Sequence, residues 1–101
     1  MPTPDLLLLR VAATWPLPGL GLLALPNGAT PHLLAQPLHT ALPVEIELTT
    51  GRLAGVGTVE EISRADTVER GLLLDFGPGV VPTLPAGTGI WLAKNGLPVS
   101  A

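Results

Sequence analysis

Proline and glycine interrupt this chain so often that they set the main limit on its fold. The 101 residues include 12 Gly and 12 Pro. Proline removes a backbone donor and clashes with the preceding helical turn, so an uninterrupted amphipathic helix of ordinary length does not fit most of the sequence. The segments between the interruptions are short and apolar, which is the pattern of an all-β protein.

Six of these segments are predicted to be strands. The clearest covers residues 44–49, where Val44, Ile46 and Leu48 alternate with polar residues and so share one face. The others are expected at residues 5–15, 20–25, 52–63, 71–76 and 88–93. Short strands separated by frequent turns predict a small closed or partly closed antiparallel β-barrel of about six strands.

Three segments of the predicted barrel carry further expectations. Gly55 and Gly57 accompany a shift of the apolar positions in strand 52–63, which predicts a β-bulge there. The charged segment 64–70 is expected to be a solvated loop or one helical turn, and residues 29–43 a long proline-rich connection. Residues 5–94 form the single domain, between a flexible leader at 1–4 and a tail at 95–101.

The composition excludes several classes of function. Cysteine is absent, which rules out disulfides and thiolate chemistry. The net charge of −3 opposes the counterion release that drives nucleic-acid binding, so we expect no nucleic-acid partner. The run Leu6 to Leu9 lies between charged residues and is far shorter than the roughly 20 residues of a membrane span. A cytoplasmic protein without membrane contact is expected.

The glycine-spaced stretch 16–26 lacks the signature of a nucleotide site. Gly19 and Gly21 have neither the third spaced glycine nor the acidic residue of a dinucleotide fingerprint. No Gly-Lys pair exists, and the only lysine is Lys94, so a phosphate-binding loop is also excluded. We expect these glycines to let a curved strand pass close to its neighbour.

Metal and acid–base sites are poorly supported by the spacing of the polar residues. His32 and His39 lie in the connection, but zinc needs a third or fourth ligand. Glu60 and Glu61 are adjacent, and neighbours on a strand point to opposite faces, so they cannot share a substrate. We therefore expect no enzyme activity, no metal and no cofactor.

The most unusual feature is that no Asp, Glu, Lys or Arg occurs from Val11 to Val44. Charged residues make up only 13% of the chain, against roughly 25% in typical soluble domains. Two interpretations stay open: an exposed apolar patch that binds a partner, or leucines that fold back to plug the barrel mouth. The expected contact residues are Trp15, Trp91, His32, Leu33, Leu34, Leu38, His39 and Leu42.

Trp91 is expected to face outward, because Ile90 and Leu92 beside it should face inward. Two possibilities stay open for its side chain. It either caps the barrel end or lies under a loop, or it is an exposed anchor for a partner.

The order of these segments resembles the β-barrel that forms the second domain of elongation factor Tu and other translational GTPases. The resemblance covers residues 8–93. It is carried by WPLPGLGLL at 15–23, VEIEL at 44–48, VEEI at 59–62, LLLDF at 72–76 and LPAGTGIWL at 84–92. Leu20 stands where the family often has Arg, and residues 41–43 stand where it usually has a Gly-Asp turn.

These observations favour a non-enzymatic protein-interaction module. Its partner is expected to be another protein or a second copy of the chain in a homo-oligomer, which would cover the apolar surface. The resemblance implies an alternative, a translation-associated accessory that contacts RNA or tRNA. Its expected contacts are Arg52, Arg64 and Arg70 on the outer barrel face.

Overall fold

Six antiparallel strands and one short helix make up the computed structural model, which describes residues 6–93 of the chain. The elements are β1 (Leu6–Leu17), β2 (Gly21–Pro26), α1 (Pro31–Leu34), β3 (Ala41–Leu48), β4 (Gly51–Arg64), β5 (Thr67–Asp75) and β6 (Gly89–Leu92). The strand order is β1-β2-β5-β4-β3-β6, and β6 pairs back with β1. The predicted all-β fold, an antiparallel sheet of six strands that closes on itself, is confirmed. The predicted leader 1–4 and tail 95–101 lie outside the described residues.

The core fills the inside of this ring and is built from alternate strand positions. Val44 and Ile46 of β3 are buried, as their spacing predicts. Leu33 of α1 and Leu84 of the β5–β6 connection join the same cluster. Because the strands alternate in direction, α1 follows β2 at one end of the ring and Leu84 precedes β6 at the other. Each end is therefore closed by a leucine from a connection.

No helix between residues 6 and 93 is long and apolar enough to cross a membrane.

The predicted bulge at Gly55 and Gly57 is wrong. Strand β4 pairs in unbroken register with β3 and with β5, and the irregularities lie in β1, between Leu7 and Leu9 and between Val11 and Ala13. The glycines of β4 serve close packing instead. A Cβ on Gly57 would lie 3.2–3.4 Å from core side chains, and one on Gly55 would lie 2.6 Å from the Phe76 ring.

Two predicted loops are partly strand. Residues 64–70 belong to the β4–β5 hairpin, which turns at Ala65 and Asp66 and pairs Arg64 with Thr67. An ion pair between Arg64 and Glu69 joins the two strands. The connection after β2 contains α1 and ends where β3 begins at Ala41. Strand β1 also continues through Pro16, which is tolerated because β6 pairs with β1 only as far as Arg10 and leaves that edge free.

Candidate interaction face

An apolar row crosses the outside of the ring. Trp15 of β1 lies opposite Leu23 of β2, and Leu23 lies opposite Leu73 of β5. Paired residues share a face, and the strand neighbours Leu22 and Leu72 are buried in the core. The row Trp15, Leu23 and Leu73 therefore faces outward, where an antiparallel barrel strand usually carries polar residues.

Three more apolar side chains border this row. Leu17 and Leu20 come from the end of β1 and the β1–β2 turn, and Ile62 comes from β4. Gly71 allows Ile62 to lie across β5, because a Cβ on Gly71 would collide with Ile62 Cδ1 and would lie 2.7 Å from the Ala24 carbonyl oxygen. We call the six residues the Trp15 face: Trp15, Leu17, Leu20, Leu23, Ile62 and Leu73.

Two grooves meet at Leu20, whose residue surface is 64% exposed. One, of about 320 Å³, has Leu23 and Leu73 among its lining residues. The other, of about 350 Å³, lies between Leu20 and the loop after β5 and is lined by residues that include Phe76 and Val81. Both volumes are at the lower limit of small-molecule sites, roughly 300–1,000 Å³, and suit the insertion of a few apolar side chains.

Glycines shape the turn that carries Leu20. Gly19 has a φ of +79°, which L-residues rarely adopt, and the turn closes when the Leu20 N–H donates to the Leu17 carbonyl at 2.9 Å. A Cβ on Gly21 would collide with the Leu74 carbonyl oxygen. The expectation that these glycines let a strand pass close to its neighbour is confirmed for Gly21 and is wrong for Gly19, where a Cβ would have no neighbour within 4 Å.

Trp91 lies on a different part of the outer surface and has charged neighbours. It faces outward as predicted, opposite Glu45 of β3. The guanidinium carbons of Arg10 and Arg52 lie 6.0 and 5.8 Å from its ring centroid. Arg52 Nη1 donates to Glu45 Oε1 at 3.0 Å, and Arg10 Nη1 lies 3.7 Å from Glu47 Oε1. We call this set, Trp91, Arg10, Arg52, Glu45 and Glu47, the Trp91 face.

The sequence left two interpretations open for the apolar connection, and its residues follow both: some are buried in the core and others are exposed. Leu33 is buried and plugs one end of the ring, and Leu42 is buried in the core as a residue of β3, so neither can contact a partner. Leu34 and Leu38 are exposed. The two remaining candidates, His32 and His39, are exposed as well, and His39 Nδ1 lies 3.3 Å from Glu60 Oε1.

The three arginines expected to contact RNA are not brought together. Arg52 and Arg64 stand at opposite ends of β4, twelve positions or roughly 40 Å of extended chain apart. Arg64 Nε donates to Glu69 Oε2 at 2.7 Å. Arg70 lies on the opposite side of its strand from Glu69, and its Nη1 is buried without a hydrogen-bond partner. These side chains do not form one basic surface.

Of the Trp15 face, the sequence reasoning found only Trp15. The signal for the others was present, because β2 and β5 carry adjacent leucines, Leu22-Leu23 and Leu72-Leu73-Leu74. Consecutive apolar residues in an antiparallel strand indicate that both faces are covered or in contact. Ile62 had no such signal, since its position depends on Gly71 in the neighbouring strand.

Comparisons with known proteins find no match: no family model fits the chain, and no curated protein and no solved structure is significantly similar to it. The resemblance to the translation-factor barrel therefore stays a prediction. Within residues 6–93, no three side chains of His, Cys, Asp or Glu are grouped so that they could hold a metal ion.

Proposed function

We propose that this protein is a non-enzymatic protein-interaction module that binds through the Trp15 face. The observation that carries the proposal is the apolar Trp15 face on the outside of the ring, in which Trp15 is 58% exposed and Leu20 is 64% exposed. Tryptophan is among the residues that dominate binding energy at interfaces, and a contiguous exposed apolar patch is typical of an interaction site.

The energetics of the face favour a contact of side chains. Full burial of a Leu side chain is worth about 1.5–3 kcal/mol, and about 1.4 kcal/mol corresponds to a tenfold change in affinity. Covering Leu20 and Trp15 together would therefore contribute several kcal/mol to binding. Glu60 and Glu61, the carboxylates beside the groove, alternate to opposite sides of β4 and are not placed to act as an acid–base pair.

Leu34 offers a matched control for Leu20. Its exposure of 61% is close to that of Leu20, but it lies on α1, in the connection whose apolar sequence predicts partner contacts. We expect Leu20→Asp to weaken any association of the protein about tenfold or more, and Leu34→Asp to leave it unchanged. Both sites are exposed, so both variants should keep the wild-type unfolding midpoint.

Two measurements test the proposal. Light scattering over a range of protein concentrations measures self-association, and selection from a random peptide display library measures binding to other chains, each with wild type and both variants. The proposal is supported if association is lost in Leu20→Asp and kept in Leu34→Asp. It is wrong if the dependence is reversed, or if neither measurement finds any association.

A role in contacting RNA or tRNA depends on the sequence resemblance alone. Its three arginines lie apart, and Arg52 and Arg64 are engaged with glutamates of their own sheet. Association with tRNA that weakens steeply with salt and that needs these arginines would establish that role instead.

A further inference from the structure

The Trp15 face has an acidic surround. Glu60 and Glu61 are among the residues that line the groove above Leu23 and Leu73, and Asp75 is among those that line the groove on the other side of Leu20. No Lys, Arg or His of the described residues lines either groove. The side chain paired with Glu60 is the exposed His39 rather than an arginine, and a histidine is charged only if it is protonated.

The basic side chains are used elsewhere. Three of the four arginines in the described part of the chain form ion pairs outside these grooves: Arg10 with Glu47, Arg52 with Glu45 and Arg64 with Glu69. Among residues 6–93, the carboxylates for which no ion pair with an arginine is found are Glu60, Glu61, Asp66 and Asp75, and all four belong to β4, β5 or the turn between them. The excess negative charge thus lies on the two strands that supply Ile62 and Leu73 to the Trp15 face.

We propose that the occupant of the Trp15 face is a basic amphipathic helical segment of a partner protein. This inference rests on the proposed function. Apolar residues of the segment insert on both sides of Leu20, and its Lys or Arg side chains lie against Glu60 and Asp75, which project from the outer side of β4 and β5.

The closed ring favours a helix over an added strand. Leu23 and Leu73 lie within strands that are paired on both sides, so the centre of the face offers side chains rather than unpaired backbone groups. The edge of β1 beside Trp15 is free, but Pro16 removes a backbone donor there and disfavours an added strand. A helix that lays apolar residues at i, i+3, i+4 and i+7 into a groove is the recognition mode that needs only side chains.

Charge disfavours a second copy of the chain as the occupant. Two Trp15 faces packed on each other would bring the same carboxylates together, and like charges across an interface cost binding energy. A basic segment meets the same carboxylates with opposite charge, which also raises its association rate at low salt.

The test is peptide selection against the full chain, with Leu20→Asp as the counter-selected bait. We expect the enriched peptides to combine helically spaced Leu-like residues with Lys or Arg. A synthetic copy of an enriched peptide should bind wild type by fluorescence anisotropy, and its affinity should fall as salt is raised. The double variant Glu60→Gln with Asp75→Asn should bind it about fivefold to tenfold more weakly.

Asp66→Asn is the matched control for charge, because Asp66 is exposed in the β4–β5 turn and lines neither groove. It should leave the affinity within about twofold, since isolated surface charges contribute little. Urea unfolding of each variant shows whether it is folded.

Three results would overturn the inference. Enriched peptides without basic residues would do so, and so would an affinity that Glu60→Gln with Asp75→Asn does not change. The third is a salt-insensitive homo-oligomer that Leu20→Asp dissociates, which would identify a second copy as the occupant. All three results are compatible with binding through the Trp15 face. If no association of the protein depends on Leu20, the proposed function is wrong as well.

Discussion

The two tryptophans of this protein stand on the outside of the same ring and have opposite surroundings. The Trp91 ring is partly buried beneath the guanidinium groups of Arg10 and Arg52, which are themselves bound to glutamates of β3. Trp15 is 58% exposed, and its partner across the strands is Leu23. The described part of the chain therefore covers Trp91 with charged side chains and leaves Trp15 largely exposed.

This difference teaches that an outward tryptophan marks an interaction site only when its own chain does not cover it. Each cation over an aromatic ring contributes about 0.5–1 kcal/mol at an exposed site, and the cations here also hold β1, β3 and β4 around the short strand β6. The Trp91 face thus stabilises the closure of the ring. Within residues 6–93 no cation lies over Trp15, and this is one reason for our proposal that the Trp15 face binds a partner.

The largest expected effect is the difference in stability between a substitution inside the ring and one on the Trp15 face. Leu72→Ala should lower the free energy of unfolding by about 2–5 kcal/mol, because Leu72 is fully buried in the core. Leu73→Ala, one residue along the same strand, should cost less than about 1 kcal/mol, because this side chain is only partly buried on the outer face. Urea unfolding measures both, and equal losses would contradict the assignment of Leu73 to the outer face.

The second effect compares the tryptophans directly. Trp91→Ala should cost about 2 kcal/mol, less than the roughly 3–5 kcal/mol of a fully buried aromatic residue, because Trp91 is partly exposed. Trp15→Ala should cost less than about 1 kcal/mol of stability and should instead abolish binding to peptides selected on the Trp15 face. If Trp15→Ala is the more destabilising variant, the comparison between the two faces is wrong.

A third effect concerns the backbone under Trp91. A Cβ on Gly89 would lie 2.8 Å from Trp91 Nε1 and 3.1 Å from Arg10 Nη1, so Gly89→Ala displaces the covered ring. We expect a loss of about 1–2 kcal/mol from this overpacking. In the Trp91→Ala background the added methyl group has room, so the loss should largely disappear. A loss of the same size in both backgrounds would show that the methyl group acts on the backbone alone.

The sequence predicted the features that depend on neighbouring residues, and it did not predict those that depend on contacts between distant parts of the chain. The alternation of Val44, Ile46 and Leu48 is a local pattern, and the strand it predicts is present. The bulge expected at Gly55 and Gly57 is absent, because these glycines respond to the Phe76 ring and to core side chains of other strands. A shift of the apolar positions along one strand is compatible with a bulge and also with glycines that let other side chains pack closely, so it does not distinguish the two.

The candidate face depends on pairing that no local pattern gives. Trp15 and Leu73 lie on one surface only because β2 is inserted between β1 and β5. Leu33 and Leu34 are neighbours with the same side chain, and one is buried while the other is 61% exposed. The uncharged stretch predicted an apolar region correctly, but its division between plug and surface required the helix geometry of α1.

The smallest effect tests whether the cover of Trp91 is electrostatic. Arg52→Gln removes an ion pair with Glu45 and one of the two cations over the ring, and it should cost less than about 1 kcal/mol. Arg64→Gln is the control, because Arg64 also pairs with a glutamate but lies over no aromatic ring in the described residues. Raising the salt concentration screens exposed ion pairs, so the costs of both variants should shrink. A cost that stays larger for Arg52→Gln than for Arg64→Gln at high salt would support a contribution from the contact with the ring, whereas a smaller or equal cost would contradict it.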